Sequence, residues 1–128
     1  MKKKILIADD EESIRYTFYE FLSEEGYQVS TVDSLQECLA QLQKEEIDLL
    51  FLDINWGCEN GLDAITEIKR AQPHCSIIMI TGALDCRAIQ QARSQGARDY
   101  LVKPIRRASL TYIASRELSK NPKTVVRA

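Results

Sequence analysis

The fold of this chain is decided by the stretch Asp48-Leu49-Leu50-Phe51-Leu52-Asp53-Ile54-Asn55. Its four successive apolar residues are too few for a helix and fall on both faces of an extended chain, which is typical of a strand buried on both sides in a parallel sheet. Asp53 follows at the carboxyl end of this strand. Asp commonly opens a turn there, but the same position in an open α/β sheet faces the crevice where ligands bind. Both interpretations stand until other residues are considered.

Length and composition indicate one globular domain. The chain has 128 residues, 45% hydrophobic and 28% charged, and a domain of this size buries roughly two thirds of its unfolded surface. The net charge is −2 and no basic stripe interrupts the mixed charges, so direct nucleic-acid binding by this domain is not expected. The four cysteines are widely spaced and contain no C-x-x-C pair, which indicates reduced thiols rather than a zinc site or disulfides.

The amino terminus predicts neither a signal peptide nor a membrane span. Its basic start, Met1-Lys2-Lys3-Lys4, is followed by four apolar residues and then by Asp9-Asp10. This segment is too short and too acidic for a signal peptide, and no other segment has the apolar length that a membrane span requires. We therefore expect a cytoplasmic protein that makes no contact with a membrane.

Apolar patterning predicts five strands that alternate with five helices. Strands are predicted at 4–8, 27–31, 49–52, 76–80 and 99–102, numbered β1 to β5 in that order. Apolar residues at helical spacing predict helices around 14–22, 35–42, 62–68, 88–92 and 110–118, numbered α1 to α5. β2 alternates apolar and polar residues as an edge strand does. Five successive βα units imply right-handed crossovers and a parallel sheet covered by helices on both sides.

Local signals mark the ends of several elements. Ser34 is predicted to cap α2, with Glu37 at the capping-box spacing. Asn60-Gly61 breaks the chain before α3, and Pro73 ends that helix. We expect residues 1–120 to form the domain. Residues 121–128 show no periodicity and are predicted to be a C-terminal tail or the start of a linker.

Polar residues follow four of the predicted strands: Asp9 and Asp10 follow β1, Asp53 follows β3, Thr81 follows β4, and Lys103 follows β5. Because parallel strands bring their carboxyl ends to one edge of the sheet, these side chains are expected to lie together. Two carboxylates about 5 Å apart repel by roughly 3 kcal/mol at an effective dielectric constant near 20, so a cluster of three calls for a cation. Mg²⁺ is the expected ion, because it takes one or two carboxylates and completes its shell with water and phosphate oxygens.

Two further groups at this edge suit a phosphoryl group. Lys103 supplies a fixed positive charge and Thr81 a hydroxyl, and both can bind phosphoryl oxygens. The sequence therefore predicts a pocket for a phosphoryl group carried on a carboxylate.

Five ordered signals resemble the receiver domain of two-component response regulators. They are Asp9-Asp10 after β1, Asp53 after β3, Thr81-Gly82 after β4, Tyr100 within β5, and Lys103-Pro104 three residues beyond it. The resemblance covers residues 4–119. It implies a flavodoxin-like (βα)₅ fold, a doubly wound parallel five-stranded sheet with strand order 2-1-3-4-5.

The resemblance also implies roles for the strand-end residues. Asp53 would accept a phosphoryl group from the phosphohistidine of a sensor histidine kinase or a histidine phosphotransfer domain. Asp10, Asp53 and the backbone carbonyl of Asn55 would bind Mg²⁺ directly, and Asp9 would bind it through a water. Such a domain is a signalling switch that promotes only its own phosphorylation and dephosphorylation.

The resemblance also implies residues that would bind the phosphoryl group and transmit the conformational change that follows phosphorylation. Thr81, Gly82 and Lys103 would bind the phosphoryl oxygens, and Thr81 and Tyr100 would form a switch pair. The Lys103-Pro104 peptide bond would be cis, as X-Pro bonds permit. The change would reach the surface formed by α4, β5 and α5, where an output domain or a second copy of the chain would bind.

The chain departs from the family pattern in the loop after the phosphoacceptor. Many receivers carry Met-Pro where this chain has Trp56-Gly57, although Gly61 keeps the expected distance from Asp53. A more mobile loop is expected. Two interpretations of Trp56 remain open, because Trp is common both as a partner-binding anchor and as a cover over an apolar rim.

Two other functional classes compete with the receiver interpretation. A phosphohydrolase with an aspartyl-phosphate intermediate would use the same carboxylate, lysine and Mg²⁺, but Asn55 stands where its general acid would be needed, and the chain has no cap segment. A flavodoxin-like nucleotide binder would need a Gly- or Ser/Thr-rich loop after β1, where Asp9-Asp10 would instead repel phosphate.

Overall fold

A computed structural model describes residues 2–56 and 59–119. The tail predicted at 121–128 and the Gly57 position of the unusual loop lie outside the described residues. Within the described part of the chain, none of the helices is long and apolar enough to cross a membrane.

Five parallel strands form the central sheet, and they keep the numbers of the predicted strands: β1 is Lys4–Ala8, β2 is Gln28–Val32, β3 is Leu49–Asp53, β4 is Ser76–Thr81, and β5 is Asp99–Val102. Every neighbouring pair is parallel. The strand order is β2-β1-β3-β4-β5. This confirms the predicted order, with β2 at one edge and β3 in the centre.

Five helices alternate with these strands: α1 is Glu12–Glu24, α2 is Leu35–Lys44, α3 is Leu62–Ala71, α4 is Cys86–Gln95, and α5 is Arg107–Leu118. The architecture is the flavodoxin-like α/β fold that the family resemblance implied.

The central strand contributes to two hydrophobic cores. Leu50 and Leu52 join the core that also contains residues of α2, α3 and α4. Leu49 and Phe51 join the core formed with α1 and α5. All four side chains are fully buried, and each stabilises the fold by about 1.5–3 kcal/mol relative to an exposed side chain. This two-sided burial is the reason for the unbroken apolar run.

Capping side chains hold the starts of two helices. Ser34 Oγ accepts a hydrogen bond of 3.1 Å from the Glu37 amide at the start of α2, as predicted. The Asp85 carboxylate does the same for α4, where it accepts bonds from the amides of Arg87 and Ala88. α4 ends at Gly96, whose φ of 123° is readily adopted only by glycine.

The observed boundaries differ from the predicted ones by one to three residues at several ends. β3 continues to Asp53, and β2 begins and ends one residue later than expected. The loop after β3 contains a short antiparallel pairing of Asn55–Trp56 with Glu59–Asn60. The sequence did not predict this pairing, because segments of two residues carry no measurable periodicity.

Candidate functional site

The carboxyl ends of β1, β3, β4 and β5 meet at one edge of the sheet, which places the predicted polar residues there. The carboxylates of Asp9, Asp10 and Asp53 offer oxygens that all lie within 4.8 Å of one another. Asp9 and Asp53 are buried, and Asp10 is exposed. The acidic cluster predicted from three separate positions therefore exists, with one of its members at the surface.

Lys103 is the cation of this cluster within the described residues. Its Nζ lies 3.4 Å from Asp9 Oδ2 and 3.6 Å from Asp53 Oδ2. It is bonded more closely to Glu11, whose Oε1 accepts a hydrogen bond of 2.5 Å. Burial by itself would lower the pKa of Lys103, but the bond to Glu11 and the charges of Asp53 and Asp9 outweigh it and raise the pKa. The ammonium group therefore remains charged.

Burial and mutual repulsion disfavour ionisation of the two inner carboxylates. Burial is the main cause that raises the pKa of Asp53 to about 7, and the neighbouring charge of Asp9 adds to it. Burial also raises the pKa of Asp9, against a backbone hydrogen bond from Glu11 and the charge of Lys103. One ammonium group thus compensates the carboxylate cluster only in part.

A buried carboxylate oxygen of Asp9 that lacks a well-aligned hydrogen bond indicates that a cation suits this cluster. Asp9 Oδ2 is buried, and the contact it has within the described residues is the ammonium group of Lys103 at 3.4 Å, which does not form a well-aligned hydrogen bond. Buried polar atoms normally have partners. A hard divalent ion prefers oxygen ligands, and this oxygen lies among the other two carboxylates. The residues present therefore fit a divalent cation.

The end of β3 is tied closely to the loop that follows it. Asp53 Oδ1 accepts a hydrogen bond of 3.1 Å from the Asn55 amide, and the Asp53 carbonyl accepts one of 2.7 Å from Trp56 Nε1. Gly61 lies against the same carbonyl, because a Cβ atom added at this glycine would stand 2.3 Å from Asp53 O. A side chain at Gly61 would therefore displace the backbone of the residue that carries the site.

Trp56 is buried, with 6% of its surface exposed, and belongs to the core formed with α2, α3 and α4. This decides between the two interpretations left open by the sequence. The indole covers the apolar side of the site, and its ring is not available as an anchor for a partner.

Thr81 ends β4 at the same edge, but its hydroxyl is engaged locally. Thr81 Oγ1 donates a 2.7 Å hydrogen bond to the Ala83 carbonyl and accepts one of 3.2 Å from the Ala83 amide. Its backbone carbonyl accepts a bond from the Lys103 amide. Gly82 is exposed beside it. The Lys103-Pro104 peptide bond is cis.

Tyr100 lies in β5, paired in register with Met79 of β4. Its ring is half-buried against the core of α2, α3 and α4. The guanidinium group of Arg93 on α4 lies 6.0 Å from the ring centroid. A cavity of about 10 Å³ adjoins the ring, and it is lined in part by Ile54 and Ala92. This space is far too small to take an aromatic ring without movement of its walls.

Sequence reasoning missed two residues that contact the cluster. Glu11 binds Lys103, and Arg15 Nη1 donates a 2.8 Å hydrogen bond to the Asp9 carbonyl. A third acid directly after Asp9-Asp10 was a visible signal for Glu11. Arg15 gave no comparable signal, because a cation in the first turns of a helix is usually solvated.

Comparison with known proteins agrees with the geometry. The family model described as the response regulator receiver domain matches residues 5–115. The alginate biosynthesis transcriptional regulatory protein AlgB of Pseudomonas aeruginosa is 36% identical over 115 residues, which are 90% of this chain and 26% of AlgB. The chain thus spans about a quarter of the length of that relative.

Solved structures show the same fold. A CheY-like response regulator receiver domain protein from Methanospirillum hungatei superposes with a TM-score of 0.89 at 27% identity, covering 93% of this chain and 95% of that one. A response regulator from Burkholderia pseudomallei, solved with a phosphorylated aspartic acid, a calcium ion and citrate, gives a TM-score of 0.80 at 27% identity, covering 94% of this chain and 76% of that one.

Proposed function

Because the chain belongs to the response regulator receiver domain family, we propose that it is the phosphoacceptor switch of a two-component or phosphorelay system and that Asp53 accepts the phosphoryl group. The observation that carries this proposal is the placement of Asp53. Its carboxylate is buried at the end of the central strand, within reach of Lys103 and of two further carboxylates.

The proposed reaction is a transfer from a phosphohistidine. An Asp53 carboxylate oxygen attacks phosphorus, an O–P bond forms, the P–N bond to the donor imidazole breaks, and the imidazole nitrogen keeps the electron pair. Lys103 reduces the repulsion between the carboxylate and the incoming phosphoryl oxygens. The amide of Asn55 donates a hydrogen bond to Asp53 Oδ1 and so helps to fix the orientation of the carboxylate.

The acidic cluster would hold Mg²⁺. Asp10, Asp53 and the backbone carbonyl of Asn55 would bind it directly, and Asp9 would bind it through water. The bound ion would offset the negative charges of the carboxylates and of the phosphoryl oxygens. The Burkholderia structure, which contains a phosphorylated aspartic acid and a calcium ion, supports the use of a divalent ion by a related domain. Asp53 would then ionise more readily than its raised pKa of about 7 allows without the ion.

Thr81 and Tyr100 would relay the change. Thr81, Gly82 and Lys103 would bind the phosphoryl oxygens, for which the Thr81 hydroxyl would have to leave Ala83. Its movement would vacate space beside β4 into which the Tyr100 ring could rotate, because the cavity of about 10 Å³ that adjoins the ring is too small by itself. The ring would then leave Arg93, and the surface formed by α4, β5 and α5 would change. Two discrete ring positions make a bistable element.

The partners follow from the same proposal. A sensor histidine kinase or a histidine phosphotransfer domain would supply the phosphoryl group in the cytoplasm. An output domain or a second copy of the chain would bind the α4-β5-α5 surface, and residues 1–120 would form the receiver unit. AlgB, in which the matched region is about a quarter of the length, supports the attachment of receivers to larger regulators. The chain would act as a switch and not as an enzyme on other substrates.

Phosphorylation by a small acyl phosphate tests the proposal. With acetyl phosphate and Mg²⁺, the intact mass of the wild-type protein should rise by one phosphoryl group, and the Asp53→Asn variant should show no increase, because the nucleophilic oxygen is gone. Asp63→Asn is the matched control, since Asp63 is an exposed carboxylate outside the cluster. Full labelling of Asp53→Asn, or none of the wild type, would rule out the assignment.

A further inference from the structure

Trp56 makes its side-chain hydrogen bond to the backbone of the site. The indole is buried among apolar side chains, and its only polar atom, Nε1, donates a 2.7 Å bond to the backbone carbonyl of Asp53. Buried Trp side chains usually find a partner for this N–H group. Here the partner is the main chain of the residue that carries the central carboxylate of the site.

This bond closes a small ring of contacts around Asn55. The Asn55 amide donates to Asp53 Oδ1, and the next residue along the chain, Trp56, reaches back to Asp53 O. Asp53 is therefore tied through both its side chain and its main chain. The peptide group between Asn55 and Trp56 carries the Asn55 carbonyl, and it lies between these two attachments.

The other side of the loop is held as well. Asn55 and Trp56 pair with Asn60 and Glu59 in a short antiparallel ladder. The Gly61 amide then donates a 2.6 Å bond to the Ile54 carbonyl. The segment from Asp53 to Trp56 thus has few remaining degrees of freedom, and the indole supplies the contact that fixes its far end.

We propose that Trp56 is a positioning residue for the cation site: its indole N–H, bonded to the Asp53 carbonyl, holds the Asn55 carbonyl in the orientation that binds a divalent ion. This inference rests on the proposed function. Preorganised ligands bind more tightly because less freedom is lost on binding. Loss of the N–H group should therefore weaken Mg²⁺ binding even where the ring and the core remain.

The test is Mg²⁺ titration by calorimetry of the wild type and of Trp56→Phe, which keeps an aromatic ring and removes the donor. We expect the Mg²⁺ dissociation constant to rise between about twofold and tenfold, the range that one hydrogen bond accounts for. Ile68→Val is the matched control, because Ile68 is fully buried in the same core but lies on α3, outside the loop, and its side chain has no hydrogen-bond donor to lose. It should lose stability and keep the wild-type dissociation constant.

One further readout and one further variant separate positioning from simple packing. Acetyl phosphate labelling of Trp56→Phe should need more Mg²⁺ for half-maximal rate yet approach the wild-type rate at saturation. If the Phe variant fails to fold, benzothienylalanine at position 56 keeps the bicyclic shape without the N–H group and serves in the same titration. An unchanged dissociation constant in the folded donor-free variant, or an equal rise in Ile68→Val, would overturn the inference. Absence of Mg²⁺ binding and of labelling in the wild type would instead overturn the proposed function and this inference with it.

Discussion

Asp53 lies close to the other charged groups of the site. Its side chain is 3% exposed, with Asp9 beside it and Lys103 Nζ at 3.6 Å. The same Lys103 is bonded to Glu11, so its charge is shared among three carboxylates. Two buried acids and an exposed third therefore share one ammonium group, which leaves the metal-free site short of positive charge.

Substitution of Asp10, the exposed carboxylate of the acidic cluster, tests whether negative charge exceeds positive charge at the site. Asp10→Asn should weaken Mg²⁺ binding by at least about tenfold, because even second-shell partners of metal ligands contribute that much. In chelator, the variant should be more stable than the wild type by up to about 1 kcal/mol, since one like charge is removed from an exposed position. Thermal unfolding in chelator and in saturating Mg²⁺ measures both effects.

The wild type provides the reference for that experiment. Mg²⁺ at one hundred times its dissociation constant should stabilise the native state by about 2.7 kcal/mol. A wild-type melting temperature that is the same in chelator and in Mg²⁺ would speak against the cation site as a whole.

At the scale of elements, a buried acid joins α5 to β5. Glu117 on α5 has a side chain with no exposed surface, and its carboxylate oxygens lie 3.1 Å from Arg98 Nε and 2.9 Å from Arg116 Nε. Arg116 also contacts Asp99 at the start of β5. These ion pairs hold the end of the last helix against the strand that carries Tyr100.

The pH dependence of stability should reveal this contact. Burial by itself would raise the pKa of Glu117, but hydrogen bonds from Arg98 and Arg116 outweigh it, and the pKa in the folded protein is lowered. A lowered folded pKa gives stability that is complete above the unfolded pKa of about 4.3 and is lost as the pH falls through the folded value. Glu117→Gln should therefore cost roughly 1–3 kcal/mol at pH 7 and progressively less below about pH 4.

Urea unfolding at neutral and acidic pH measures this difference. Glu24→Gln is the control, because Glu24 pairs with Arg107 at 2.8 Å but is 57% exposed, and exposed ion pairs contribute little. Equal losses in the two variants at pH 7, or a loss in Glu117→Gln that does not depend on pH, would contradict the role assigned to Glu117.

The elements also show how far sequence reasoning reaches. The sheet was predictable from two strands. β3 is buried on both faces and is therefore continuously apolar, whereas β2 lies at the sheet edge, is less buried, and therefore alternates apolar and polar residues. The Glu117 contacts left no such pattern. The partners of Arg116 became evident only when α5 and β5 were placed together.

For the whole molecule, the proposed switch requires a path from Asp53 to a distant surface. Thr81→Ala removes the hydroxyl that is bonded to Ala83, while the acidic cluster and Lys103 are retained. Phosphorylation of Asp53 should therefore persist, whereas the amide NMR shifts that beryllofluoride produces on α4 and β5 of the wild type should be largely lost.

Thr111→Ala is the control for this experiment. Thr111 Oγ1 bonds the Arg107 carbonyl within α5, so its loss should leave the distant shifts unchanged. Distant shifts in Thr81→Ala that match those of the wild type would disprove the coupling and leave the phosphoacceptor assignment intact.

At this scale the fold and the acidic cluster were predictable, because strand ends that meet at one edge follow from topology alone. Asp9, Asp10 and Asp53 were expected together, and their oxygens do lie together. The attachment of Trp56 to the Asp53 carbonyl was not predictable. A side chain that folds back over three residues depends on the loop conformation, on which the local residue pattern carries no information.

The central claim, that Asp53 is the phosphoacceptor, is tested most directly by chemical location of the phosphoryl group. Protein labelled by acetyl phosphate in Mg²⁺ is reduced with borohydride, which converts an aspartyl phosphate to homoserine, and the peptides are sequenced by mass spectrometry. We predict homoserine at position 53 and at no other position. Homoserine at Asp9 or Asp10, or intact Asp53 in protein that carries the label, would contradict the claim.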